Sequence, residues 1–132
     1  LFSLRKQQLA GEAYVGHADG LLIDAGTRCR HLGDTAAVLE RMDLVIATDG
    51  VVARLAAATE KPALILLPYS AHWIYGRWAD TTPWYPTLRL LRQPEPGDWR
   101  PVIDELLRLV TTWACARQGR SSSDVAARGS LG

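Results

Sequence analysis

The clearest pattern of apolar and polar positions lies in the middle of the chain and predicts a strand, a helix and a second strand. Asp43 to Thr48 is an apolar run with β-branched residues, which is typical of a strand buried on both faces. Asp49-Gly50 then supplies turn chemistry, and apolar residues from Val51 to Thr59 recur at helical spacing. The run Ala63 to Leu67 predicts the second buried strand. Together these segments form a βαβ unit of about 30 residues.

Weaker patterns before this unit predict two more strands and a helix. Short apolar runs at Leu1 to Leu4 and at Leu21 to Ile23 predict the strands. Asp34 is expected to act as the N-cap of a helix that continues to Arg41.

The pattern after the central unit predicts one more strand, at Thr87 to Leu91, and a helix from about Trp99 to Ala116. Strands that alternate with helices predict an α/β fold with a Rossmann-like, mainly parallel sheet over residues 1–116. Residues 117–132 are rich in Ser, Gly and Arg, and we expect them to be disordered.

The turn at Asp49-Gly50 is a candidate ligand site. It follows a predicted parallel strand, and open α/β sheets bind their ligands at the carboxyl ends of such strands. In the functional interpretation, Asp49 and Gly50 contact a phosphate or a sugar at a helix N-terminus. In the alternative, Asp49 is simply the N-cap of an ordinary helix, and the spacing alone favours this alternative.

Composition narrows the class of protein. The chain has 132 residues, a net charge of +1, 48% hydrophobic and 22% charged residues, which fits one globular domain without nucleic acid as its main partner. No apolar run is long enough for a membrane span, and the first residues do not resemble a signal peptide, so a cytoplasmic protein is expected. The two cysteines, Cys29 and Cys115, favour reduced thiols. Because the chain starts on an apolar segment without Met, we expect a piece of a longer protein.

Aromatic residues are concentrated between Tyr69 and Tyr85, which hold three of the five Trp and three of the four Tyr. Tyr69, His72, Trp73 and Trp84 are candidates to line a pocket by stacking on a planar or sugar ring. The alternative is a long loop that its own aromatic side chains hold against the domain, and composition alone favours it.

Two longer segments resemble a known family. DLVIATDGVVARLAAATEKPALILLPYSAHW, followed by TTPWYPTLRLLRQPEPGDW, resembles the C-terminal half of bacterial glycosyltransferases fused to tetratricopeptide repeats. Those proteins are similar to heptosyltransferases and, more distantly, to O-linked N-acetylglucosamine transferases. The match covers about residues 1–116, and PWYP and RQPEPGDW are its most specific parts. It implies the C-terminal, donor-binding half of a glycosyltransferase with two Rossmann-like domains, the GT-B fold.

The resemblance also implies roles for individual residues. Asp49 matches a family Asp that contacts the donor sugar or diphosphate, and Gly50, Val51 and Val52 match a helix N-terminus whose amides face the diphosphate. Lys6 matches a family lysine suited to balance the diphosphate charge. A helix N-terminus favours an anion without a metal, so neither a metal nor a cofactor is expected.

Some positions differ from the family pattern. The family has Thr or Ser where this chain has Gly50, and His where it has Arg54. Arg54 can bind phosphate but cannot act as a neutral acid or base near pH 7. The family sequence DWRW is replaced by HWIY at residues 72–75, and no residue is assigned as catalytic.

Two functions therefore stay open. The first is a glycosyltransferase-like domain that binds a nucleotide-diphosphate sugar and needs a partner N-terminal domain for activity. The second is a non-catalytic relic or interaction module that keeps only the fold. A flavodoxin-like regulatory domain fits PWYP and the aromatic segment badly. Further expected partners are a repeat region and a second copy of the chain.

Overall fold

A computed structural model describes residues 2–4, 23–76 and 79–129 of the chain. Five strands and three α-helices follow one another within these residues. In chain order they are β1 (Phe2–Ser3), β2 (Ile23–Asp24), α1 (Leu32–Glu40), β3 (Val45–Thr48), α2 (Val51–Ala58), β4 (Ala63–Leu67), β5 (Leu88–Arg92) and α3 (Arg100–Gly129). Short 3-10 turns lie at Gly26–Arg28 and Trp73–Tyr75.

The central sheet has three parallel strands in the order β3-β4-β5. Ile46 lies beside Leu64 of β4, and Ile65 lies beside Leu90 of β5. The predicted βαβ unit is therefore present, and the expectation of an α/β fold with a parallel sheet is confirmed. In the described residues β1 and β2 pair with each other, also in parallel, and form a separate sheet rather than extending the central one.

The core has one layer on each face of the central sheet. All five residues of β4 are buried, and their side chains alternate between the two faces, as expected of a strand covered on both sides. Ala63, Ile65 and Leu67 pack with α1 and α2 residues on one face. Leu64 and Leu66 pack on the other face with Val102 and neighbouring residues of α3.

Helix α1 begins earlier than the sequence suggested. It starts at Leu32 with His31 as the N-cap, so the prediction that Asp34 is the N-cap is wrong. Asp34 lies in the first turn, where its carboxylate accepts hydrogen bonds from the backbone N–H groups of Arg30 (2.8 Å) and His31 (3.0 Å). A carboxylate can satisfy helix N–H groups from this third position as well as from the cap, which explains the three-residue error.

Helix α3 is longer than predicted. It continues to Gly129, whereas the sequence suggested a helix end at Ala116 and a disordered tail from residue 117. No proline interrupts this stretch, and extending a formed helix fixes fewer torsions per hydrogen bond than starting one. Residues 130–132 lie outside the described residues.

The outer edge of β3 borders an open groove. In the part of the chain that the structure describes, β4 is the only strand that pairs with β3. A groove of about 1030 Å³ runs along β3, and its lining includes Phe2, Leu4, Ile46, Val51 and Trp113. Ile46 is 43% exposed and Val51 55% exposed, so the groove is an apolar surface open to solvent.

No helix in the described ranges is both long and apolar enough to cross a membrane.

Candidate functional site

The candidate site lies where β3 ends and α2 begins. Strand β3 ends at Thr48, Asp49 and Gly50 form a turn, and α2 starts at Val51. The first helical hydrogen bond runs from the N–H of Arg54 to the carbonyl of Gly50 at 3.3 Å. The N-cap residue Gly50 has no side chain that could cap the helix, so within the described part of the chain the N–H groups of the first turn have no side-chain cap. An uncapped first turn favours a negatively charged ligand.

Gly50, rather than Asp49, is the N-cap of α2. The expectation of Asp49 as a cap is therefore wrong, because the chain needs two residues instead of one to turn from β3 into the helix. Gly50 has a φ of 173°, an extended conformation that any residue can adopt. A Cβ placed on it would meet nothing within 4 Å. The site could thus accommodate the Ser or Thr that the family resemblance leads one to expect.

Tyr75 lies beneath the first turn of α2. Its side chain is fully buried and packs in the same cluster as Ala53 and Ala56 of α2. Its hydroxyl lies near the carboxylate of Asp49 and the guanidinium of Arg54. Neither group has the distance and angle of a hydrogen bond, so this buried oxygen has no partner among the described residues.

The surroundings of Tyr75 keep its hydroxyl protonated. Burial is the largest cause and raises the Tyr75 pKa above its ordinary value of 10.0, and the nearby Asp49 carboxylate raises it further. Arg54 acts in the opposite direction, because a positive charge favours the phenolate. The net shift is upward, so near neutral pH the group is a hydrogen-bond donor.

Arg92 fixes the backbone of the segment that carries Tyr75. From the end of β5, its Nη2 donates to the carbonyls of Gly76 at 2.8 Å and Tyr75 at 3.5 Å, while Nη1 donates to Tyr69 at 3.4 Å. Gly76 has a φ of 65°, a conformation that favours glycine, and it ends the short turn. The hydroxyl of Thr82 donates to the carbonyl of Ile74 at 2.8 Å. Residues 69–76 are therefore held from two sides.

Gln93 joins the ends of β4 and β5. Its side chain is buried, and its Oε1 accepts from the N–H groups of Tyr69 at 3.1 Å and Gly97 at 3.4 Å. The backbone N–H of Gln93 donates to the carbonyl of Leu67 at 3.0 Å. The RQ pair in RQPEPGDW therefore has a structural role at the carboxyl edge of the sheet, close to the candidate site.

The aromatic residues expected to line a pocket lie mostly in solvent. Trp73 is 72% exposed and Trp84 64% exposed. Tyr69 and His72 are exposed as well, and the His72 and Trp73 rings lie 5.5 Å apart at a tilt of 37°. Among the described rings of this segment, Tyr75 is the one close to the site. Nothing in the sequence distinguishes it from its aromatic neighbours.

The other predicted site residues fall into two groups. Asp49, Gly50, Val51, Val52 and Arg54 lie together around the first turn of α2. Lys6 lies outside the described residues.

In the part of the chain that the structure describes, no group of three or more His, Cys, Asp or Glu side chains is placed to hold a metal ion.

Comparisons with protein-family models, with curated protein sequences and with solved structures give no significant match. The glycosyltransferase resemblance therefore stays a prediction. The chemistry of the site stands on its geometry, which combines an uncapped helix end, an exposed cation and a buried hydroxyl donor. Such a set can bind an anion, and Asp49 can accept hydrogen bonds from hydroxyl groups attached to it.

Proposed function

We propose that this chain is a donor-binding, glycosyltransferase-like domain that holds the diphosphate of a nucleotide sugar at the first turn of α2. The observation that carries the proposal is the uncapped start of α2 at the carboxyl end of β3, with Arg54 exposed in the same turn. Open parallel sheets bind nucleotides at this position, and the helix dipole and free N–H groups favour phosphate.

Each group near the turn has a distinct part in this proposal. The amides of Val51 and Val52 donate to the phosphoryl oxygens, and Arg54 balances their charge. Asp49 accepts hydrogen bonds from sugar hydroxyls. These contacts bind the donor and stabilise the departing nucleoside diphosphate. Activation of an acceptor needs a base, and the partner N-terminal domain supplies that side of the reaction.

A non-catalytic relic is the second candidate. Two observations favour it: Gly50 leaves α2 without a hydroxyl cap, and Trp73 and Trp84 are exposed rather than folded over a ligand. The resemblance adds a third point, because Arg54 stands where the resembled family has His. A relic of this kind keeps the sheet and loses affinity for the nucleotide.

A chemical-shift titration with uridine diphosphate or adenosine diphosphate separates the two candidates. One side of the ligand stays in water, so we expect a Kd of roughly 0.1–1 mM, which corresponds to about 4–5.5 kcal/mol. Shifts should appear at residues 49–54. Arg54→Glu reverses the charge of an exposed side chain and should abolish binding without loss of the fold.

Arg41→Glu is the matched control, because Arg41 is an exposed arginine that precedes β3 at the opposite edge of the sheet. It should bind like the wild type. An absence of shifts at residues 49–54 up to several times the expected Kd would identify the chain as a relic. Equal binding by all three proteins would mean that the phosphates bind elsewhere.

A further inference from the structure

Four buried polar groups of the described residues have no hydrogen-bond partner: the Tyr75 and Thr87 hydroxyls, Arg92 Nε and Gln93 Nε2. Of these, the Tyr75 hydroxyl is the one close to Asp49 and Arg54 of the candidate site. The whole side chain is inaccessible to solvent, and its oxygen has no hydrogen-bond partner among the described residues. Most buried polar groups in proteins are hydrogen-bonded, and leaving one without a partner destabilises the folded state. A hydroxyl in this state lowers the stability of the folded protein unless a ligand forms a hydrogen bond with it.

The position of this hydroxyl connects it with the first turn of α2. The ring packs in the cluster that contains Ala53, and the hydroxyl is close to the side chains of Asp49 and Arg54. Arg54 is exposed, so its side chain can leave the hydroxyl and follow a negative charge at the helix end. Asp49 is half-buried and belongs to the turn before α2, so the hydroxyl is close to the carboxylate of the site.

The hydroxyl is also held in place before any ligand arrives. Arg92 binds the carbonyls of Tyr75 and Gly76, and Thr82 binds the carbonyl of Ile74. A donor on such a fixed backbone loses little conformational entropy when it binds, which favours affinity.

We propose that Tyr75 is a ligand-binding residue whose hydroxyl donates a hydrogen bond to a phosphoryl oxygen of a diphosphate bound at the first turn of α2. The inference rests on the proposed function for the location of the diphosphate. It adds a donor from a different segment of the chain, so the ligand bridges α2 and the segment 69–76. On binding, Arg54 turns from the hydroxyl to the phosphate charge.

The test compares wild type, Tyr75→Phe and Tyr85→Phe in chemical-shift titrations with inorganic pyrophosphate and with uridine diphosphate. Tyr85 is a half-buried tyrosine of the same aromatic segment, so Tyr85→Phe controls for loss of a hydroxyl nearby. We expect Tyr75→Phe to weaken the binding of both ligands about tenfold or more, the effect of losing one hydrogen bond to a charged group. Tyr85→Phe should stay within about twofold of wild type.

Urea unfolding without ligand supplies the second measurement. Because the Tyr75 hydroxyl has no partner, Tyr75→Phe should unfold at the same urea concentration as wild type or at a higher one. A clearly lower midpoint would show that the hydroxyl supports the fold and would overturn the proposal.

The two ligands separate this inference from the proposed function. If pyrophosphate and uridine diphosphate bind equally and Tyr75→Phe weakens both, the hydroxyl binds phosphate and the nucleotide part of the proposed function fails. If wild type binds uridine diphosphate better and Tyr75→Phe binds it as well as wild type, the proposed function stands and the inference fails. If neither ligand binds wild type, both are overturned.

Discussion

Replacing Arg92 with Met should destabilise the protein far more than the same change at Arg89. Both arginines lie on β5, but they point to opposite faces of the sheet. Arg92 donates to three backbone carbonyls of the 69–76 segment, whereas Arg89 makes one exposed ion pair of 3.7 Å with Glu105. The two substitutions remove the same charge from the same strand and keep an apolar stem of similar reach.

The hydrogen-bond lengths give the expected magnitude. Only the bond from Arg92 to Gly76, at 2.8 Å, is short, and a hydrogen bond from a charged donor contributes about 1.5–3 kcal/mol. Partial exposure of Arg92 reduces that value, and the bonds of 3.4 and 3.5 Å add little. We therefore expect Arg92→Met to lower the free energy of unfolding by about 2 kcal/mol. Arg89→Met should lower it by less than about 0.5 kcal/mol, as is usual for an exposed pair.

Urea unfolding followed by tryptophan fluorescence measures both variants. With a slope of about 1–3 kcal/mol per molar urea, a loss of about 2 kcal/mol moves the midpoint by about 1 M. Amide exchange at Gly76, whose N–H donates to the carbonyl of Trp73, should become faster in Arg92→Met alone. Equal midpoints for the two variants would refute the conclusion that Arg92 organises the segment.

Two further predictions concern pH and association. Burial and Asp49 raise the Tyr75 pKa in the folded state, so the free energy of unfolding should fall as the pH rises above about 10, where the unfolded chain releases this proton, and should keep falling up to the higher folded pKa. Tyr75→Phe should reduce this fall in urea unfolding at about pH 11. An unchanged fall would contradict the reasoning. The apolar groove along β3 should promote self-association of the protein in sedimentation experiments. Ile46→Lys should weaken this association, whereas the control Ile103→Lys, at a residue 41% exposed on α3, should leave it unchanged. A monomer at every concentration would contradict this prediction.

The parts of the fold that the sequence predicted well depend on local chemistry. Strand β4 has the predicted bounds, because five consecutive apolar residues are followed by Pro68, which limits the strand. Helix α2 begins at Val51 as predicted, because Asp49-Gly50 forms the turn between β3 and the helix. The start of α1 was misplaced because Asp34 can satisfy the helix end from inside the first turn.

The parts that the sequence missed depend on contacts between distant residues. Arg92 and Gly76 are separated by 16 positions, and Gln93 and Tyr69 by 24, so no local pattern shows that they bind each other. Tyr75 is one of many aromatic residues in its segment, and only the packing under α2 distinguishes it from Trp73. The sequence does carry one signal, because Arg92 and Gln93 directly follow the predicted strand Thr87 to Leu91. Polar residues at the carboxyl end of a parallel strand lie at the edge of the sheet where ligands bind.

The two-faced burial of β4 has a consequence for the protein during synthesis. Strand β3, helix α2 and strand β4 follow one another directly, so they can pack as soon as they leave the ribosome. Leu64 and Leu66, however, are covered on their face by α3, which is made later in the chain. At roughly 5–20 residues per second, this face of the sheet stays uncovered for a few seconds in each nascent chain. Until α3 covers them, Leu64 and Leu66 are an exposed apolar surface of the kind that promotes aggregation of a nascent chain.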